Sequence, residues 1–146
     1  MKIFKLDIVA LVSLAVSYAD KGHAWSFAWT QAYHDLGGVK ESCPKKPCPR
    51  AASKALYELG LLKISKQPLI ALTDKVIENM PKNGWYCYLA LCELKNSPNI
   101  EHARLWCIVR EQILLRYGAA PKRDEGSVKI AMALYKAELV HIEQLS

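Results

Sequence analysis

Cys48 is the residue of this chain best placed to do chemistry. It opens Cys48-Pro49-Arg50 at the start of a helix, with Lys45 and Lys46 just upstream. A helix N-terminus and neighbouring cations both favour a thiolate, and His23 or His34 could serve as its base, which is the minimum for nucleophilic thiol catalysis. The competing reading is a structural cysteine packed at the helix start, and with no partner motif in the chain it is the better one. There is no phosphate-binding glycine loop, no His-Glu-x-x-His, no Gly-x-Ser-x-Gly and no dinucleotide fingerprint. His23, His34, His102 and His141 are scattered along the chain. The expectation is a protein without turnover and without a cofactor.

Metal chemistry is similarly poorly served. Cys43/Cys48 and Cys87/Cys92 are both Cys-x4-Cys pairs, but residues five apart on a helix lie about 140° around its axis, so Cys87 and Cys92 do not readily share one ion. No metal site is expected. The five cysteines, Cys43, Cys48, Cys87, Cys92 and Cys107, are odd in number, and three stand in apolar helical text where thiols act as small core residues. A Cys43–Cys48 disulfide would need an oxidising compartment. The N-terminus imitates a secretory signal, with Lys2 and Lys5, an apolar run from Ile8 to Val16, and Ser17-Tyr18-Ala19. Polar residues at Asp7, Ser13, Ser17 and Asp20 recur at helical spacing, which instead suits an uncleaved amphipathic core helix. The expected location is the cytoplasm, with no part in a membrane.

The formal charge is +6, and most of it is concentrated. Lys40, Lys45, Lys46, Arg50, Lys54, Lys63 and Lys66 face only Glu41 and Glu58 within that stretch, a local excess of five positive charges. Such a patch suits a macromolecular partner with anionic groups, either nucleic acid or an acidic protein face. Arg50 is its least comfortable member. A cation in the first helical turn opposes the helix dipole by about 0.3–1 kcal/mol, so a carboxylate, a carbonyl or a ligand should hold it. A second candidate surface is aromatic: Trp85, Tyr86 and Tyr88 are too close in sequence for all three to face inward, which makes Trp85 and Tyr86 a possible binding patch.

The elements that position these residues read as helices almost throughout, an all-α bundle of six or seven helices in one domain spanning residues 1–146. Expected helices cover Leu6–Ala19, Ala24–Leu36, Pro49–Leu59, Asp74–Met80, Trp85–Leu94, Asn99–Tyr117 and Ser127–Val140. Pro49 suits a first helical position and Gly60 a left-handed closing residue. The helix ending at Tyr117, apolar on most sides, suits the centre of the bundle. One short β-hairpin is expected at residues 61–72, where Leu61-Leu62-Lys63-Ile64 and Leu69-Ile70-Ala71-Leu72 flank a Ser65-Lys66-Gln67-Pro68 turn.

That hairpin, following the 49–59 helix, resembles the recognition helix and wing of a winged helix. It would direct Arg50, Ser53, Lys54 and Tyr57 towards DNA and put Lys63 and Lys66 on the wing. The long, proline-bearing link before the helix departs from a helix-turn-helix. Lysine-rich and without Asn or Gln on the helix, such a surface would bind with weak sequence selectivity.

The order Ala24-Trp25, Cys48-Pro49-Arg50-Ala51, Leu59-Gly60-Leu61-Leu62-Lys63, Leu105-Trp106 and Val128 to Ala133-Leu134-Tyr135 resembles a family of small bacterial proteins known only as a domain of unknown function. The likeness runs from about residue 6 to 140, while Ser65–Asn83 departs from the pattern and Ile64 stands where the family often continues through Lys-Gly-Ile. It implies an intact cytoplasmic domain and no particular activity. The functional expectation is a protein-interaction module, an accessory protein of a mobile element or phage, with nucleic-acid binding as the alternative.

Overall fold

Between Asn83 and Cys92 the chain carries no charged residue, and this segment becomes the axis of the molecule. A computed structural model describes residues 1–145, which form seven α-helices: α1 (Ile8–Asp20), α2 (Trp25–Asp35), α3 (Pro47–Glu58), α4 (Asp74–Glu78), α5 (Lys82–Asn96), α6 (His102–Tyr117) and α7 (Ser127–Lys136). A 3-10 turn, Ile142–Gln144, follows. Helix α5 packs against α3, α6 and α7, while α1 lies on α2 and α7. The all-α expectation holds, with one short hairpin.

Because α5 is covered on several sides, Trp85, Tyr86, Cys87 and Tyr88 are all buried. The expectation that Trp85 and Tyr86 form an exposed aromatic patch is therefore wrong. Helix α6 was the expected centre, but its buried residues, Leu105, Trp106, Val109 and Ile113, make one stripe, and Leu115 is 80% exposed. Arg104 before that stripe and Arg110, Glu111 and Gln112 within it explain the difference, since a central helix cannot carry them without partners. The crossing of α3 and α5 is close: a Cβ on Gly84 would lie 2.5 Å from that of Ala55.

The hairpin stands at the start of the chain and not at residues 61–72. Strands β1 (Lys2–Ile3) and β2 (Leu6–Asp7) pair antiparallel, Lys2 opposite Asp7 and Ile3 opposite Leu6. Asp7 then caps α1, its carboxylate accepting from the Ala10 N–H at 2.9 Å. Residues 61–72 form no hairpin. Leu61 and Leu62 are both buried, which an alternating strand with one wet face does not allow, and they pair instead with the end of the chain. Lys63 donates its N–H to the Leu139 carbonyl at 2.8 Å and His141 to that of Leu61 at 2.9 Å. The following turn is pinned to Asp20, which accepts from the Lys66 N–H at 3.0 Å. The second limb folds back over the end of α3, where the Ile70 N–H reaches the Leu59 carbonyl at 3.0 Å.

Helix α3 starts at Pro47, so Pro49 is its third residue; both are tolerated because first-turn N–H groups have no intrahelical partner. Gly60 ends it as expected, at φ +68°. Its N–H reaches Tyr57 at 3.0 Å and that of Leu61 reaches Leu56 at 3.1 Å, the paired bonds of a Schellman closure. Helix α7 stops at Lys136, short of Val140, and closes with the same pair of bonds around Glu138, at φ +59°.

Candidate functional site

The N-terminal end of α3 is where the sequence's charge becomes a surface. Lys46 is the N-cap residue and makes no side-chain cap, so its ammonium is free to lie 5.8 Å from the centroid of the Phe4 ring. Phe4 in turn packs edge-on against Tyr33, 5.9 Å between centroids, and the Tyr33 hydroxyl accepts the Lys40 N–H at 2.9 Å. Beneath them the hairpin seats on the starts of α3 and α7. A Cβ on Gly126 would stand 3.0 Å from Ile3 Cδ1 and 3.1 Å from Pro49 Cβ, so no larger residue fits between them without movement.

The hairpin thus carries Lys2 and Lys5 to the end of the molecule that holds Lys40, Lys45, Lys46 and Arg50. All are exposed except Arg50, which is half-buried. Among the described residues none of the six has a carboxylate within ion-pairing distance. The nearby Glu41 approaches His34 at 3.9 Å, and Glu125 takes the Cys48 thiol. Arg50 was expected to be held by a neighbour, yet only its backbone carbonyl is engaged, by the Trp25 indole N–H at 3.1 Å and the Ser53 hydroxyl at 3.1 Å. Its guanidinium has no hydrogen-bond partner among the described residues.

The other three residues of the candidate patch lie apart from this knuckle. Lys54, on the exposed face of α3, pairs with Glu58 at 3.6 Å. Lys63 lines a separate cavity with Tyr135, Lys136 and Glu138, and Lys66 sits beside Asp20 at the far end of α3. The twelve residues of α3 separate its two ends by about 18 Å, more than two Debye lengths of ~8 Å at physiological salt. Lys63 and Lys66 therefore add little to the field at the knuckle. Lys2 and Lys5 add directly to it, and sequence reasoning missed them because Phe4-Lys5 carries none of the Asn or Gly that announces a two-residue turn.

The winged-helix geometry is absent. There is no wing at 61–72, Ser53 is fully buried with its hydroxyl donated to the Pro49 carbonyl at 2.8 Å, and Tyr57 is buried in a stack on Trp25, 5.1 Å between centroids. Only Arg50 and Lys54 of the four residues proposed to face DNA reach the surface side of α3.

Cys48 donates its thiol to Glu125 Oε2 at 3.1 Å. Burial first, and then the Glu125 carboxylate, push its pKa up to about 11, so the group is a thiol at neutral pH despite its place at a helix start. Neither His23 nor His34 bonds to it: His34 faces the Gly38 carbonyl at 3.1 Å and His23 packs on Phe27, 4.8 Å between centroids. Among the described residues no cluster of three or more His, Cys, Asp or Glu side chains is arranged to hold a metal ion, and all five cysteines are free.

Trp85 is covered by the Arg116 guanidinium, 4.5 Å from its ring centroid, and by Tyr117 edge-on at 5.8 Å. The aromatics that do reach solvent are Phe27, 48% exposed, and Tyr117, 40% exposed. No protein-family model, curated protein or solved structure matches this chain.

Proposed function

We propose that this protein is a non-enzymatic binding module of the cytoplasm, an accessory protein of a mobile element or phage, whose basic knuckle docks on an acidic face of a larger host protein. The observation that carries this reading is the convergence of Lys2, Lys5, Lys40, Lys45, Lys46 and Arg50, from two distant parts of the chain, with no carboxylate among the described residues paired to any of them. Like charges gathered at one end repel one another, and a partner bearing carboxylates relieves that cost while gaining steered association. The raised pKa of Cys48 supports a role without thiol catalysis. No described helix is long and apolar enough to cross a membrane. The resemblance to the small bacterial family fits this reading and adds no activity to it.

Weakly sequence-selective nucleic-acid binding is the second reading, and the same unpaired cations favour it. The buried Ser53 and Tyr57 count against reading bases with α3, which leaves phosphate contacts only. One experiment separates the two. The chain and its Lys45→Glu/Lys46→Glu variant are passed over immobilised duplex DNA across a salt series, and the same pair is used as bait for host proteins at physiological salt. The protein reading expects little duplex retention at 0.15 M salt (~8 Å screening length) and a host protein held by the wild type and not by the variant. Duplex retention with a steep log-salt slope, lowered by roughly two in the variant, would move the function to nucleic acid. Capture that is indifferent to the charge reversal would end both readings.

A further inference from the structure

A second surface feature is apolar. Between α3 and α4 runs a cavity of about 570 Å³, lined by Ala51, Ala55, Leu59, Val76, Met80 and Pro81. Small residues on one wall and a short helix on the other create it. Ala55 is small because α5 crosses it at Gly84, and α4 has only five residues, none of them buried. The segment that carries α4 is fastened at its two ends, by Ile70 to the Leu59 carbonyl and by Arg116 Nη2 to the Glu78 carbonyl at 2.8 Å. Val76 and Met80 line the groove opposite α3, while Leu72 and Ile77 pack against the core.

Left to solvent, this open groove is filled by water against walls that offer it few hydrogen bonds. Its polar lining residues are Lys54, Glu58, Lys75 and Asn79. Lys54 is paired with Glu58, Asn79 donates to the Lys75 carbonyl at 2.8 Å, and the Lys75 ammonium has no ion-pair partner among the described residues. An apolar cavity of this volume with one free cation at its mouth has the make-up of a small-ligand site. The α3 wall from Ala51 to Leu59 is about 12 Å long, short for a docked helix and sufficient for an acyl chain.

We propose that the groove between α3 and α4 binds a small amphipathic carboxylate, a medium-chain acyl anion whose tail lies on Ala51, Ala55, Leu59, Val76 and Met80 and whose carboxylate meets Lys75. The tail displaces water from the apolar walls, and the head group pairs with Lys75, the rim cation without an ion-pair partner among the described residues. This site is independent of whatever the basic knuckle binds.

Calorimetric titration of hexanoate, octanoate and decanoate into the full chain tests it. Affinity should rise by up to roughly fourfold per added methylene, the equivalent of about 0.8 kcal/mol. Decylammonium, of equal length and opposite charge, should bind at least tenfold more weakly than decanoate. Ala51→Trp fills the groove from α3 and Val76→Asp makes its roof polar; each should abolish decanoate binding, and a folding failure in one leaves the other to answer. Lys75→Glu should erase the preference for carboxylate over ammonium. The proposal is overturned if the folded wild type gives no saturable binding of decanoate, if decylammonium binds equally well, or if the folded groove variants bind as the wild type does.

Discussion

Replacing Gly60 by alanine tests the joint that holds the roof of the groove. Two costs follow from the geometry. Gly60 sits at φ +68°, a left-handed conformation that costs an L-residue about 1–2 kcal/mol. A Cβ there would also stand 2.1 Å from the Pro68 carbonyl oxygen and 2.7 Å from Leu69 Cα, separations that no van der Waals contact survives. The chain from Pro68 must move, and the bonds that fold it over α3 go with it: the Ile70 N–H to Leu59, at 3.0 Å, and the Lys66 N–H to Asp20, at 3.0 Å. At about 1 kcal/mol net for each bond, the total is roughly 3–4 kcal/mol, lessened by the ~0.4–1 kcal/mol that alanine removes from the unfolded chain's freedom. Urea unfolding should show a loss of about 3 kcal/mol, and thermal melting a fall of about 6–12 °C for a domain of this size. A loss of about 1 kcal/mol or less would mean that only the backbone conformation matters and that the 65–81 segment is not seated on Gly60.

Glu138 occupies the same closing position at the end of α7 with φ +59°, so Glu138→Gly should stabilise by about 0.5–1 kcal/mol and raise the melting point by about 2–3 °C; a lower melting point would show that the glutamate side chain is needed. Cys48, with its pKa pushed up to about 11, should react with iodoacetamide at pH 8 more slowly than the exposed Cys107, its rate still climbing tenfold per pH unit towards pH 10, and Glu125→Gln should speed it. Peptide mapping that finds Cys48 the first cysteine alkylated at neutral pH would reverse this reading. The Asp35 carboxyl is held below its ordinary value, first by the Tyr18 hydroxyl and then by Gln31, so its contribution to stability is present above about pH 4 and lost as pH falls through its folded-state value. Asp35→Asn should flatten that part of the acid-unfolding curve, and superimposable acid limbs would refute the link.

What could be read from the sequence was periodicity and punctuation. The Ala-Leu face of the α3 helix and Gly60 each act through neighbours three or four residues away, and helical spacing records them directly. Leu61 to Leu72 misled for the opposite reason. Two apolar runs around a Ser-Lys-Gln-Pro turn look like a hairpin locally, but Leu62 finds its partner at Val140 and the turn finds Asp20 on α1. Neither partner is visible in a window of twelve residues. The aromatic patch failed on the same ground, since whether Tyr86 faces water depends on how many helices surround α5.

The basic knuckle combines both cases, and its backbone shows what it costs to build. Phe4 and Lys5 fill the two central positions of the hairpin turn at φ +55° and +67°, positions that Asn-Gly would occupy with far less strain. A side chain there is retained only where the surroundings over-determine it. Phe4 has such surroundings, with its ring edge-on to Tyr33 and under the Lys46 ammonium. It is the wedge that ties the start of the chain to the loop before α3. Lys5 has no compensating contact of this kind and projects from the strained turn into solvent, beside cations that already repel it. Neither strain nor repulsion helps the fold, and what Lys5 adds to the structure is a sixth cation on that surface. A turn optimised for stability would have removed both the wedge and one of the six charges that the knuckle presents.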